Sequence, residues 1–382
     1  MKLFDEAVRS HYEPAGYGQP DFDYLNRSAN EPIRKVRDLL ENWFCHYPES
    51  ARSELRQRFR STKQYNHSSA FFELWLHELL RSLGCSLEVH PPLAGTTRKV
   101  DFLVKSPNGH NFYLEAIHVT GESGEAGKSQ ARLDTLYDSL NRLQSPNFFI
   151  NLEISGAPKS PIPGEAIRRQ IERELSTLSL RLLENFLEMW RLHLIPKWRF
   201  QHDGLRITCY PTPKPPEQRG IPGVRTLATT TFGGIIDSEG PIRDAVIGKA
   251  KRYGALDLPF IIAINTTDHF ISERDVLAAL YGSVSGSYEP EILNDSRGVW
   301  GSDKNPTWTR VSAVLVTRKL QPSNPTAPVC LYHNPRPRQQ YAGELTRLSQ
   351  VVVKNNRLIT HDGESAGSTL GLPLNFPEDQ VL

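Results

Sequence analysis

The most constraining stretch is 258–265, Leu258-Pro259-Phe260-Ile261-Ile262-Ala263-Ile264-Asn265, an apolar run without alternation. A strand that keeps one face in water alternates apolar and polar residues, so this one must be covered on both faces. It belongs in the interior of a sheet, with packing layers on either side. The C-terminal half of the chain is therefore expected to extend an α/β sheet rather than to fold as an independent domain.

A second stretch, 71–120, supplies a helix, a connecting strand and a hairpin. Apolar residues at 72, 75, 76, 79, 80 and 83 share one helical stripe, Gly84 stops the helix, and Glu73 sits on the edge of the stripe. Alternation with β-branched and aromatic residues predicts strands at 99–104 and 111–119. Ser106-Pro107-Asn108-Gly109 is the turn between them. A tight turn centred near 108 sets Asp101 across from Glu115, to within one residue, on one face of the hairpin. Two carboxylates on an apolar hairpin repel each other and lose hydration unless a positive group lies between them. A divalent cation with oxygen ligands is the usual solution, and Mg²⁺ (or Mn²⁺) suits a site of one or two carboxylates.

Over roughly residues 68–155 the arrangement resembles the core of the PD-(D/E)XK nuclease superfamily. Glu73 stands where that family has its helical Glu, Val100-Asp101 where it has Pro-Asp, and Glu115-Ala116-Ile117 where it has Glu-x-Lys. The resemblance implies a restriction-endonuclease-like mixed sheet flanked by helices (an αβββαβ core), with N-terminal helices and a C-terminal α/β extension. It implies catalytic roles for Glu73, Asp101 and Glu115, with the metal on Asp101 and Glu115. It also implies cleavage of DNA, in restriction or defence. Ile117 replaces the motif lysine, a residue that family members are known to relocate. Lys99 shares a strand face with Asp101; Lys128, Gln130 and Arg132 open the following helix; His118 faces away from Glu115 by strict alternation.

A helix is expected at 31–44 and another near 49–59 that carries Arg52, Arg56 and Arg58, followed by Arg60 and Lys63. This is the densest basic segment before the acidic site, and it could follow a phosphate backbone. With 45 Lys+Arg against 43 Asp+Glu, global charge favours neither nucleic acid nor membrane, so any basic surface is local. Trp300 and Trp308 are candidates for packing or for stacking on a base. Four scattered cysteines, no signal-like N-terminus and no run of membrane-spanning length suit a cytoplasmic protein.

The expected organisation is an arm and helices over 1–65, a nuclease-like core over 66–195, an α/β extension over 196–335 and a surface tail over 336–382. In the core, strand 148–154 is expected to return parallel to a neighbour after the helix at 129–143. The function expected is metal-dependent hydrolysis of DNA. The alternative is a nuclease fold without activity that binds nucleic acid or protein. A third is a metal-dependent enzyme for another phosphate-containing substrate.

Overall fold

The computed structural model describes residues 1–382 except 17, 94–95, 120–124, 222–225, 234–238, 255, 268–270, 283, 286–290, 293–296, 374 and 378–382. The chain opens with helices α1 (Asp21–Arg27), α2 (Glu31–His46), α3 (Glu49–Phe59) and α4 (Gln64–Ser82), then strands β1 (Ser86–Val89), β2 (Phe102–Lys105) and β3 (Phe112–Val119). Next come α5 (Glu125–Asn141), β4 (Phe148–Ser155), α6 (Gly164–Ser176), α7 (Leu180–Glu188), β5 (Trp198–His202), β6 (Leu205–Pro213) and β7 (Leu227–Gly233). The last part holds α8 (Gly240–Ala250), β8 (Phe260–Thr266), α9 (Glu273–Tyr281), β9 (Val284–Ser285), β10 (Glu291–Ile292), β11 (Ala313–Arg318), β12 (Val329–His333), β13 (Gln350–Lys354), β14 (Arg357–His361) and α10 (Ala366–Thr369).

The chain divides into two units. One comprises residues 1–12, 20–121 and 237–382, the other 13–19 and 122–236. These limits do not coincide with the expected divisions after 65, 195 and 335.

In the first unit a ten-stranded mixed sheet runs β1-β2-β3-β8-β11-β12-β13-β14-β10-β9. The apolar run is β8, between β3 and β11 and parallel to both. Every residue of β8 is buried, as its composition requires. Ile261 and Ala263 join the cluster beneath α4, while Ile262 and Ile264 join the cluster beneath α8 and α9. Each of these isoleucine side chains contributes about 1.5–3 kcal/mol through removal from water.

Helix α4 departs from its expected single stripe. Residues 70–80 are all buried, Glu73, His77 and Glu78 among them. The sheet covers one side of α4, and α1, α2 and α3 pack against it as well. The 1–30 segment, expected to be an irregular arm, carries α1 and is tied down. The Leu3 and Phe4 amides donate to Glu41 (3.1 and 2.7 Å), and both side chains are buried. The tail is likewise more ordered than expected, because β13 and β14 add a hairpin to the sheet. Asn355 and Asn356 turn it with φ of 52° and 62°, the left-handed pair that a tight hairpin needs.

The strand at 148–154 does not return to the main sheet. As β4 it lies in the second unit, in a four-stranded sheet ordered β5-β6-β4-β7. Phe148, Ile150, Leu152 and Ile154 pack beneath α5 and α6, whereas Glu153 is exposed. A strand carrying Asn151 and Glu153 on its second face suits a sheet covered on one side only. The place beside β3 goes to β8, which has no polar face. Among the described residues no helix is long and apolar enough to cross a membrane.

Candidate functional site

The register of the hairpin decides the site. Phe102 pairs with Leu114 and Val104 with Phe112, which carries Asp101 to a position across from Glu115. Gly109, at φ 78°, makes the turn that sets this register. Beyond Phe102 the β2–β3 ladder stops, and the Asp101 side chain takes over its hydrogen bonding. The Ala116 amide donates to Asp101 Oδ2 at 2.7 Å, and the Asp101 amide donates to Glu115 Oε2 at 3.3 Å. Asp101 Oδ1 has no hydrogen-bond partner among the described residues.

Where the strands part, a pocket of about 210 Å³ opens. Glu73, Asp101, Ile117, His118, Arg58 and Lys249 are among its lining residues. Four elements thus meet there: α3, α4, β3 and α8. Glu115 lies behind the pocket and is fully buried. Lys249 Nζ is 2.7 Å and an Arg252 guanidinium nitrogen 2.9 Å from its Oε1, and the Tyr253 hydroxyl donates to Oε2 at 2.7 Å. The same Tyr253 hydroxyl lies 2.7 Å from the Lys99 carbonyl oxygen.

Glu73, expected at a stripe's edge, is 4 % exposed because α2 and α3 close over it. The Tyr47 hydroxyl donates to one of its oxygens, Arg58 donates to the other at 2.7 Å, and His90 Nε2 stands 4.0 Å away. Burial pushes the Asp101 carboxyl up to about 7, helped by the charges of Glu115 and Glu73 and opposed by Lys249 and the Ala116 amide. Burial also holds the His118 imidazole down to about 4, with His67 adding to the effect. His118 packs near Tyr65 and lies 3.4 Å from the Asn265 amide nitrogen.

Ile117 lines the pocket at the position where the resemblance has a lysine. Lysine reaches the same pocket from α8 instead, as Lys249. Sequence reasoning missed it. The cluster Lys249-Ala250-Lys251-Arg252-Tyr253 is visible, but a helix C-terminus favours cations on its own account. Nothing local connects it to Glu115, 134 residues away. Of the other lysine substitutes, Lys99 is exposed and outside the pocket lining, while Lys128 and Arg132 belong to the second unit. The side chain of Gln130 lies outside the described residues.

The basic run on and after α3 is largely bonded internally. Arg52 donates to the carbonyls of Tyr47 and Cys45 (2.8 and 2.6 Å), Arg56 to that of Lys2 (2.6 Å) and Arg60 to Leu3 and Asp5 (3.2 and 2.7 Å). Arg58 holds Glu54 and Glu73, each at 2.7 Å. Lys63 has no ion pair among the described residues. Exposed cations gather instead beside Tyr253: Arg98, whose guanidinium donates to the Arg252 carbonyl, with Lys99, Lys251 and Arg252. Lys251 Nζ stands 5.6 Å over the Trp308 ring, whereas Trp300 is buried in the core.

Among the described residues no group of three or more His, Cys, Asp or Glu is arranged to hold a metal ion. The donors that fit one are fewer. Asp101 has an oxygen to offer and two carboxylates raising its proton affinity, the imbalance a divalent cation relieves, and Glu73 lines the same pocket. One or two carboxylates with water suffice for Mg²⁺. The chain matches no protein-family model, no curated protein and no solved structure.

Proposed function

We propose that the first unit is a divalent-metal-dependent, PD-(D/E)XK-like nuclease that hydrolyses DNA phosphodiester bonds at the pocket between α4, β3 and α8. The observation that carries this reading is that Glu73, Asp101 and Lys249 line one pocket while Glu115 grips Lys249 from behind. The element order supports it. α4, β1, β2, β3, α8 and β8 follow the αβββαβ succession, with β8 parallel to β3 and residues 122–236 inserted between β3 and α8.

In this reading Asp101 holds the metal, with Glu73 beside it. The bound metal supplies a Lewis acid for the phosphate and a water of lowered pKa. Lys249 takes the part of the relocated motif lysine: its ammonium, aimed by Glu115, meets the negative charge of the phosphate. Arg252 and Tyr253 hold Glu115 in place. Arg98, Lys99, Lys251 and Arg252 form the local basic rim along which a phosphate backbone would lie.

A second reading is favoured by one observation: Glu115 and Glu73 already have cationic partners within the protein. A nuclease fold neutralised in this way could bind nucleic acid or protein without cutting. Incubating linear and circular DNA with Mg²⁺ or Mn²⁺ and wild type, Asp101→Asn or Lys249→Met separates the two. Cutting by wild type that both variants lose supports the nuclease. A wild type that neither cuts nor binds a divalent metal supports the binding module.

A further inference from the structure

The second unit carries a cavity of about 840 Å³, open to solvent, that the nuclease reading does not use. It is lined in part by Leu143, Pro146, Ile221, Asp138, Asn141 and Lys214. Lys214 is 2 % exposed, yet its ammonium has no hydrogen bond and no ion pair among the described residues. The ring of Phe149 lies 5.4 Å from its Nζ. Burial pushes the pKa of Lys214 down. The side-chain oxygen of Asn141 is also buried without a partner.

A buried cation without a counter-charge is costly, and a buried acceptor without a donor adds to that cost. The unpaired cation is tolerated where a bound anion completes it. The cavity is within the range of small-molecule sites, and its walls are more apolar than polar, so a bare inorganic anion would leave most of it unfilled.

We propose that this cavity binds a small organic anion, its charged group on Lys214 and an apolar or aromatic body against Leu143, Pro146 and Ile221. The anionic group has two sources, a phosphate ester or a carboxylate, and both are to be tried. Adenosine 5′-monophosphate and indole-3-acetate are titrated calorimetrically into the full chain at low ionic strength, with adenosine and inorganic phosphate as controls.

Lys214→Met removes the charge and leaves a residue that a buried site accepts, so folding is retained. Lys214→Arg keeps a cation. The expected result is saturable binding of one organic anion, with affinity at least about tenfold above the controls, weakened by about tenfold or more in Lys214→Met and less in Lys214→Arg. The proposal is overturned if neither organic anion binds saturably in the millimolar range. It is equally overturned if Lys214→Met binds as wild type does.

Discussion

Each unit holds a lysine drawn out of water, and the two are treated differently. Lys249 in the first unit is 18 % exposed at its side chain and ion-paired to a fully buried glutamate at 2.7 Å. Lys214 in the second is 2 % exposed and has no ion pair among the described residues, although Asp138 lines the same cavity. In the first unit the uncompensated group is the carboxylate Asp101, crowded by Glu115 and Glu73. One site thus holds a carboxylate with an oxygen to offer and the other an ammonium without an ion pair among the described residues. Burial alone is uninformative about function; the sign of what is missing indicates what each site would take.

The largest stability effect should follow from cutting the compensated pair. Glu115→Ala leaves Lys249 without its acceptor, while the Tyr253 hydroxyl keeps the Lys99 carbonyl and Arg252 can turn to water, so a loss of about 3 kcal/mol is expected in urea unfolding. A loss below about 1 kcal/mol would mean that Lys249 finds another partner, and the contrast between the lysines would weaken.

The uncompensated lysine should behave in the opposite way. Lys214→Met removes a buried charge that has no ion pair among the described residues, and a gain of about 1–3 kcal/mol is expected in the absence of ligand. Destabilisation on this substitution would show that the ammonium is satisfied within the fold.

Asp101 gives a third, pH-dependent handle. Its carboxyl titrates at about 7 in the folded chain against 3.8 for the free group, so the folded state holds the proton more tightly. Its favourable contribution is greatest below pH 3.8, is lost as the pH rises towards 7, and is flat above that. Asp101→Asn should thus be more stable than wild type by about 1–3 kcal/mol at pH 8 and indistinguishable from it near pH 4. Millimolar Mg²⁺ should close the gap at pH 8 by stabilising wild type alone. A gap that does not change with pH would remove the electrostatic account of Asp101.

The smallest effect is expected on and after α3. Arg52→Ala and Arg56→Ala should leave the salt dependence of DNA binding unchanged, since both guanidiniums are bonded to main-chain carbonyls. Replacing Lys251 should reduce the salt slope by about one. The reverse pattern would return the nucleic-acid interface to α3.

Local signals in the sequence account for much of this arrangement. The turn at 106–109 and the alternation around it place Asp101 across from Glu115, because a tight hairpin leaves little freedom of register. The apolar run at 258–265 reveals a strand covered on both faces. What local signals do not convey is which strand lies beside β3. Residues 122–236 form a unit of their own between β3 and α8, and β4 has the same inward alternation as a core strand until its second face is read. Lys249 was hidden by that insertion. The arginines of α3 misled for another reason: charge density along a helix does not say whether a guanidinium ends on water or on a carbonyl.

The central claim is that the Asp101 pocket holds a divalent metal and cuts DNA. Cleavage of supercoiled circular DNA in Mg²⁺ or Mn²⁺ by wild type, Asp101→Asn and Lys249→Met, each confirmed as folded, tests it most directly. The expected result is metal-dependent cutting by wild type, reduced by about a hundredfold or more in both variants. Cutting that survives Asp101→Asn, or a wild type that neither cuts nor binds either metal, would contradict it.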